Sequence, residues 1–282
     1  MKPAQNQRLP DFLVVGPPRT ATTWLDRALR GRVGLPKGTK ETFFFARNYE
    51  RGLPWYFEQF SHCQDAPAVG EICAAYFENA ESINRIKSHI PECRIIVTLR
   101  DPIDRLYSYY KLMRYNGKTD LPFEQAVMTH GKMLAFSRYA TILGAWRDAF
   151  GPERVLAVFN DDLRADAQGY IDQIADFIGI ERFPVRDRLL RRTRDNAIVS
   201  APRSAALARQ ARRLRMWLGA TRRYRLRGML KDLGIWRLCS EGGAPYGPLD
   251  PAVRARLRTI LAPEIDQLER MLGRDLSAWK VD

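Results

Sequence analysis

Arg19, Thr20, Thr22 and Thr23 crowd into the stretch Asp11-Phe-Leu-Val-Val-Gly-Pro-Pro-Arg-Thr-Ala-Thr-Thr-Trp24. A cation and three hydroxyls in one turn are donors for an anion. The apolar run Phe12 to Val15 predicts a short buried strand, which Gly16-Pro17-Pro18 ends. A helix follows, expected over Thr23 to Arg30, with Thr22 or Thr23 as its cap. Its start presents N–H groups that lack intrahelical partners, together with partial positive charge, and a phosphate or sulfate is readily held there. A strand-turn-helix that only packs is the alternative for this segment taken alone.

A second group lies in Leu99-Arg-Asp-Pro-Ile-Asp-Arg-Leu-Tyr-Ser-Tyr-Tyr110. Arg100 closes an apolar strand, Arg94 to Arg100, and Ser108 sits about two turns into the helix that Asp101-Pro102 begins, expected over Ile103 to Arg114. A guanidinium fork and a hydroxyl aimed at one point can hold a phosphate bidentately. The alternative is that Arg100 pairs with Asp101 or Asp104 at the helix start.

These groups need a scaffold, and the pattern supplies one. Strand-like Arg154 to Phe159 follows a helical pattern over Tyr139 to Phe150 and precedes another over Gln168 to Ile178. Strands alternating with helices imply an α/β fold with parallel crossovers. In such sheets ligands gather at the carboxyl ends of the strands, so the loops after Val15, Leu99 and Phe159 are expected to face one crevice. An aromatic-rich stretch, Glu41 to Phe60, reads as core mixed with pocket wall, the chain from Ser204 onward reads as helical, including Arg254 to Leu272, and Glu241 to Pro251 reads as a loop.

At 282 residues the expectation is a single domain, residues 1–282. The four cysteines show no paired spacing, which predicts neither a zinc site nor a disulfide framework. The first residues carry no apolar leader and no apolar run approaches membrane-spanning length, so the expected location is cytoplasmic. The net charge of +14 is concentrated late: from Arg186 to Lys231 there are fifteen basic residues against two acids, Asp187 and Asp195. Such a field suits a polyanionic ligand, nucleic acid or anionic lipid, and composition does not choose among them.

Taken together, Pro18-Arg-Thr-Ala-Thr-Thr-Trp24 and the ordered pair Arg100…Ser108 resemble the sulfotransferase family that uses 3'-phosphoadenosine-5'-phosphosulfate. The likeness continues through Gly70-Glu71…Ala75-Tyr76-Phe77, Tyr139…Trp146…Phe150, Asp161-Asp162-Leu163 and Gly273-Arg-Asp-Leu-Ser-Ala-Trp279. It implies a P-loop-NTPase-like central parallel sheet flanked by helices, with a helical C-terminal region. It also implies that Arg19, Thr20, Ala21, Thr22, Thr23 and Trp24 hold the 5' side of the donor, that Arg100 and Ser108 hold its 3'-phosphate, and that 3',5'-bisphosphate (PAP) is the product nucleotide. A magnesium-dependent P-loop kinase is the enzyme alternative, but Gly16 to Thr22 lacks the second Gly and the Lys of a Walker A loop. No metal is expected, since Arg19 and backbone N–H groups can neutralise the leaving phosphate.

Transfer to an alcohol calls for a general base. Thr39-Lys-Glu-Thr-Phe-Phe-Phe45 is similar to the Lys-Glu-x-x-x-Phe segment of glycan-type members, in which that Glu is the base, and the resemblance assigns the role to Glu41. Aromatic neighbours would raise its pKa toward neutrality. His62, His89 and His130, candidates by analogy with the family's other branch, read as surface or capping residues. Lys40 ranks second as a contact to sulfate or an acidic acceptor, with a solvated lysine as the alternative; Glu71 is an acceptor-side or structural carboxylate, and Tyr139 a pocket hydroxyl or a core or surface residue. Heparan-type members carry His and Asp where Phe43 and Ala46 stand, and a Lys that Glu71-Ile-Cys-Ala-Ala-Tyr76 lacks. A less charged acceptor fits better, such as a lipid-linked sugar or a natural-product hydroxyl.

Arg191-Arg-Thr-Arg-Asp-Asn196…Pro202-Arg-Ser204 resembles the loop that closes over the nucleotide in bacterial members, which implicates Arg203. Beyond it, Leu207, Leu214, Trp217 and Leu218 interleave with Arg209, Arg212, Arg213 and Arg215 as an amphipathic cationic helix. Either its apolar stripe packs on the domain, or the basic 203–231 region makes peripheral contact with a membrane. Nucleic acid is not the expected partner. A non-catalytic polyanion- or membrane-binding module is the remaining alternative.

Overall fold

Four short strands, all parallel, form the centre of the chain in a computed structural model that describes residues 8–190, 198–221 and 223–281. They are β1 (Phe12–Val14), β2 (Gly70–Ile72), β3 (Arg94–Leu99) and β4 (Val155–Phe159), in the order β2-β1-β3-β4. Phe12 registers with Gly70 on one side and Arg94 on the other, and Leu99 registers with Phe159. Every strand of a parallel sheet ends at the same edge, so the chain after Val14, Ile72, Leu99 and Phe159 leaves the sheet on one side. Apolar runs without alternation are what a sheet covered on both faces requires. β1 and β2 are buried throughout, and β3 everywhere except at Arg94.

The helices used below are α1 (Thr22–Leu29), α2 (Ala80–His89), α3 (Pro102–Tyr115), α4 (Tyr139–Phe150), α5 (Ala167–Ile178), α6 (Ala205–Ala220), α7 (Tyr224–Asp232), α8 (Ile235–Ser240) and α9 (Pro251–Leu272), with shorter helical turns between them. The chain divides into two compact units. One comprises residues 1–101, 138–195 and 263–279, the other residues 102–137, 196–262 and 280–282.

In the first unit, Phe12, Val14, Ile96 and Val158 bury one face of the sheet against Trp24, Leu25 and Leu29 of α1 and Tyr170, Ile171 and Ile174 of α5. α4 packs on β3 and on α2, and the indole of its Trp146 donates to the Phe77 carbonyl at 3.0 Å. In the second unit α6, α7 and α8 pack together through Ala211, Leu218, Leu230 and Trp236. Arg105 of α3 is fully buried there, and its guanidinium donates to Ser137 Oγ and to the Met133 carbonyl. A hairpin of β5 (Ser200–Pro202) and β6 (Gly242–Pro245) belongs to the same unit. Among the described residues, no helix is long and apolar enough to cross a membrane.

β1, β3, β4, α1, α3, α4, α5 and α9 lie where the sequence predicts them, within a few residues at their ends, whereas α2 and β5 were not foreseen and two further details differ. β2 is too short and too small in its side chains to stand out as a strand, and pairing with β1 makes it one. Glu241 to Pro251, read as a loop, contains β6, whose partner lies about forty residues earlier in the chain.

Gly16 closes β1 against β3. A Cβ placed on it would lie 2.5 Å from the Thr98 amide nitrogen and 2.7 Å from its carbonyl oxygen, so this crossing admits hydrogen alone. Gly16→Ala is expected to destabilise the fold by about 1–3 kcal/mol, the usual cost of overpacking. A thermal melt should fall by several degrees; an unchanged midpoint would mean that the two strands can move apart.

Candidate functional site

The segment 16–21 connects β1 to α1 at the carboxyl edge of the sheet, and its backbone is unusual. Arg19 and Ala21 both have left-handed φ, 80° and 67°, although neither is glycine. Each such residue costs on the order of 1–3 kcal/mol and persists where its surroundings over-determine it. Here Thr20 does so: fully buried, its hydroxyl donates to the Pro17 carbonyl at 2.6 Å and lies 2.6 Å from the hydroxyl of Thr98 on β3. Backbone that enters left-handed conformations just before a helix makes concavities of N–H groups suited to anions.

The threonines therefore act differently from the sequence reading. No side chain caps α1, and Ala21 is its N-cap residue. Thr20 spends its hydroxyl inside the loop, and Thr22 Oγ1 accepts from Lys40 Nζ at 2.9 Å. Thr20 can offer an anion its N–H, whereas Thr23, in the first turn of α1, keeps partial exposure. Trp24 is a core residue, with its indole N–H on the Leu189 carbonyl at 3.1 Å and its ring edge-on to Tyr170.

Arg19 is the electrostatic focus. Its pKa is pushed down to about 10, first by burial and then by the like charge of Arg100 at the end of β3. It remains a cation at neutral pH, and the like charge of Arg100 adds to a positive field that favours an anion. Arg100 offers its backbone carbonyl to the Tyr139 hydroxyl at 3.0 Å, which ties the strand end to α4. Of the readings open to Tyr139, the core one fits: it is 2% exposed and acts as a strut.

Lys40 connects this loop to the proposed base. Its ammonium donates to Thr22 Oγ1 and to Glu41 Oε1, the latter at 3.2 Å, so Glu41 is two hydrogen bonds from the N-terminus of α1. The Glu41 side chain keeps 23% of its surface exposed and is open to an acceptor. The carboxylate enclosed by the aromatic block is instead Glu71, at 0% exposure. Glu71 Oε1 accepts from the amide and hydroxyl of Thr42, at 2.6 and 2.7 Å, and Oε2 from the hydroxyls of Tyr56 and Tyr76, at 3.0 and 3.1 Å. Burial raises its pKa to about 7, outweighing four donors that act in the opposite direction. Asn48 holds the Thr42 carbonyl at 2.6 Å, so the residue next to Glu41 is gripped on both sides of its peptide unit. Glu71 is the structural carboxylate of the two readings open to it.

The first unit thus brings together Arg19, Thr20, Ala21, Thr22, Thr23, Arg100, Lys40 and Glu41. Ser108 belongs to the second unit, on α3. Arg203, also in the second unit, donates from Nε to the Gly242 carbonyl at 2.8 Å across the β5–β6 hairpin. Of the neighbouring basic loop, Arg191 to Asn196 lie outside the described residues. His89 binds the Tyr49 hydroxyl at the end of α2, His62 lies beside the Cys63 thiol, and His130 follows the helical turn Phe123–Thr129 as its C-cap. Thr98 was missed in the sequence, where a Thr inside an apolar strand carries no signal of a partner so far along the chain.

The profile of the sulfotransferase domain family matches residues 9–216. Among curated proteins, the bifunctional heparan sulfate N-deacetylase/N-sulfotransferase 3 of Homo sapiens is 31% identical over 196 residues, which cover 61% of this chain and 22% of that protein. Heparan sulfate glucosamine 3-O-sulfotransferase 6 of Homo sapiens is 29% identical over 185 residues, covering 62% of this chain and 54% of that one. The chain matches about a fifth of the length of the bifunctional relatives and about half that of the 3-O-sulfotransferase. The crystal structure of a sulfotransferase from Alicyclobacillus acidocaldarius has the same fold, with a TM-score of 0.71 over 97% of this chain and 100% of that one, at 21% identity.

A buried carboxylate with a raised pKa has a stability signature. Glu71 is protonated folded and unfolded below its ordinary value of 4.5, so its ionisation costs nothing there; stability then declines from about pH 4.5 to about pH 7, above which the loss is complete. At about 1.4 kcal/mol per pH unit the decline amounts to about 3 kcal/mol. Chemical denaturation of Glu71→Gln at pH 5 and pH 8 should show this contribution missing. If the variant kept the full pH slope of the parent, the slope would belong to other groups.

Proposed function

The chain belongs to the sulfotransferase domain family, and on that premise we propose that it transfers the sulfuryl group of 3'-phosphoadenosine-5'-phosphosulfate to a hydroxyl group. The observation that carries this reading is the convergence of Arg19, Arg100 and the N-terminus of α1, with Glu41 held two hydrogen bonds away through Lys40 and Thr22.

The residues fit such a donor. The left-handed backbone at Arg19 and Ala21 and the first N–H groups of α1 suit the 5'-phosphosulfate, with Arg19 as its cation. Arg100 and Ser108 are assigned to the 3'-phosphate and Arg203 to closure over the nucleotide, on the family's motif. The donor supplies an activated sulfur whose leaving group is a phosphate.

Glu41 takes the proton of the acceptor hydroxyl as its oxygen bonds to sulfur and the bond from sulfur to the phosphate oxygen breaks. Arg19 stabilises the charge left on that phosphate. Its burial strengthens this effect, because a desolvated cation already in position interacts more strongly than one in water. Lys40 holds Glu41 at the loop and can meet the sulfuryl oxygens. None of these roles calls for a metal ion.

For the acceptor we propose a carbohydrate, glycolipid or natural-product hydroxyl of low charge. The relatives' names specify heparan sulfate, whereas Phe43 and Ala46 stand where heparan-type members carry His and Asp. Phe43 is itself left-handed, with φ 55°, and the Arg47 guanidinium covers its ring at 3.7 Å, which leaves that cation stacked on an aromatic. The proposed setting is cytoplasmic.

Glu41→Gln is expected to keep its affinity for the 3',5'-bisphosphate and to lose sulfuryl transfer by about two to four orders of magnitude, the usual size for a general base. Calorimetry in the presence of a chelator should record bisphosphate binding to both proteins and none with ATP. Undiminished transfer by the variant would place the base elsewhere, and magnesium-dependent ATP binding would favour a kinase.

A further inference from the structure

The second unit exposes apolar side chains among cations, on helices that the transfer chemistry does not use. α6 contributes Ala211 and Leu218 to the small core it shares with α7 and α8. Leu207, Leu214 and Trp217 on the same helix are separated by seven and three residues and so form a single stripe. That stripe lies outside the core: Leu214 is 44% and Trp217 49% exposed, and Met216 is 58% exposed beside them. α7 repeats the pattern, since Leu226 and Met229 recur on one side, with Leu233 just past its end, and all three are exposed. Of the two readings the sequence left open for α6, packing its stripe on the domain holds for Leu218 alone.

The charge around these stripes has one sign. Residues 203–240 hold eleven Lys and Arg and one acid, Asp232. Arg209, Arg213, Arg223, Arg225 and Lys231 are exposed, and the Arg223 guanidinium covers the Trp217 ring at 4.9 Å. A purely polyanionic partner would satisfy the cations and leave Trp217, Met216 and Met229 in water. A surface whose phosphates lie directly above hydrocarbon satisfies both. With cations spread among the apolar positions, neither helix can enter a bilayer end-on, and each can lie along its boundary.

We propose that α6 and α7 dock on an anionic lipid surface, with Leu214, Trp217, Leu226 and Met229 entering the boundary between headgroups and acyl chains and the flanking arginines meeting lipid phosphates. This inference is independent of the transfer reading, because binding is measured without turnover.

The test is co-sedimentation of the full chain with vesicles of phosphatidylcholine alone and of phosphatidylcholine and phosphatidylglycerol in equal parts. The anionic vesicles should bind at least about tenfold more protein, and both Leu214→Ser/Trp217→Ser and Arg209→Glu/Arg213→Glu should abolish the difference while retaining the parent's thermal midpoint and bisphosphate affinity. Equal binding to the two vesicles would overturn the proposal. So would full binding by the Leu214→Ser/Trp217→Ser variant, which would mean that charge alone suffices. A dimer in light scattering that this variant converts to monomer, with no vesicle binding by the parent, would assign the stripes to a second copy of the chain instead.

Discussion

A carboxylate removed from water holds the candidate base in place. Glu71 can be buried only if its charge is met, and it is met by the amide and hydroxyl of Thr42 and the hydroxyls of Tyr56 and Tyr76. Each donor lost would leave a buried acceptor short, at about 1–3 kcal/mol. The chain after Lys40 must therefore pass Glu71, and its course is then determined on both sides. Phe44 and Phe45 turn into the core, where Phe44 stacks on Tyr56 with ring centres 4.5 Å apart. Glu41, one residue before the anchor, stays partly exposed beside Lys40. The two carboxylates thus differ in setting: the buried one anchors Thr42, and the other keeps part of its surface in water.

The loop between β1 and α1 obeys a related constraint. Its left-handed residues would relax in isolation, and the close crossing of Gly16 over Thr98, with the Thr20–Thr98 hydroxyl contact, holds them. Strain kept up by the sheet leaves backbone N–H groups set before any ligand arrives, so an anion need not organise the loop as it binds.

Two arginines show why residue type alone does not define a role. Arg105 lies between Arg100 and Ser108 in the sequence and is completely buried, yet its Nε and Nη2 donate to Ser137 and the Met133 carbonyl and tie it into the second unit. Arg19 is only half-buried, and what sets it apart is a second cation, Arg100. A buried cation among neutral acceptors stabilises a fold, whereas one beside a like charge adds to a field that favours an anion.

Much of this was legible in the sequence, because it depends on neighbours along the chain. Apolar runs of four to six residues between helical patterns specify a parallel sheet, Gly16-Pro17-Pro18 marks a turn, and an Arg with hydroxyls at a helix start marks an anion site. The roles of single side chains were not legible, because they depend on partners far along the chain. Thr20 reads as a ligand donor until Thr98, on β3, claims its hydroxyl, and Trp24 reads as part of the site until Leu189 takes its indole N–H. That the aromatic setting expected for Glu41 belongs to Glu71 arises in the same way. Both are acidic residues near aromatics, and only the tertiary fold decides which of them loses its water. Sequence determines which groups are available within one turn or strand; desolvation and hydrogen-bond competition, which act through space, decide which of those groups remain open to a ligand.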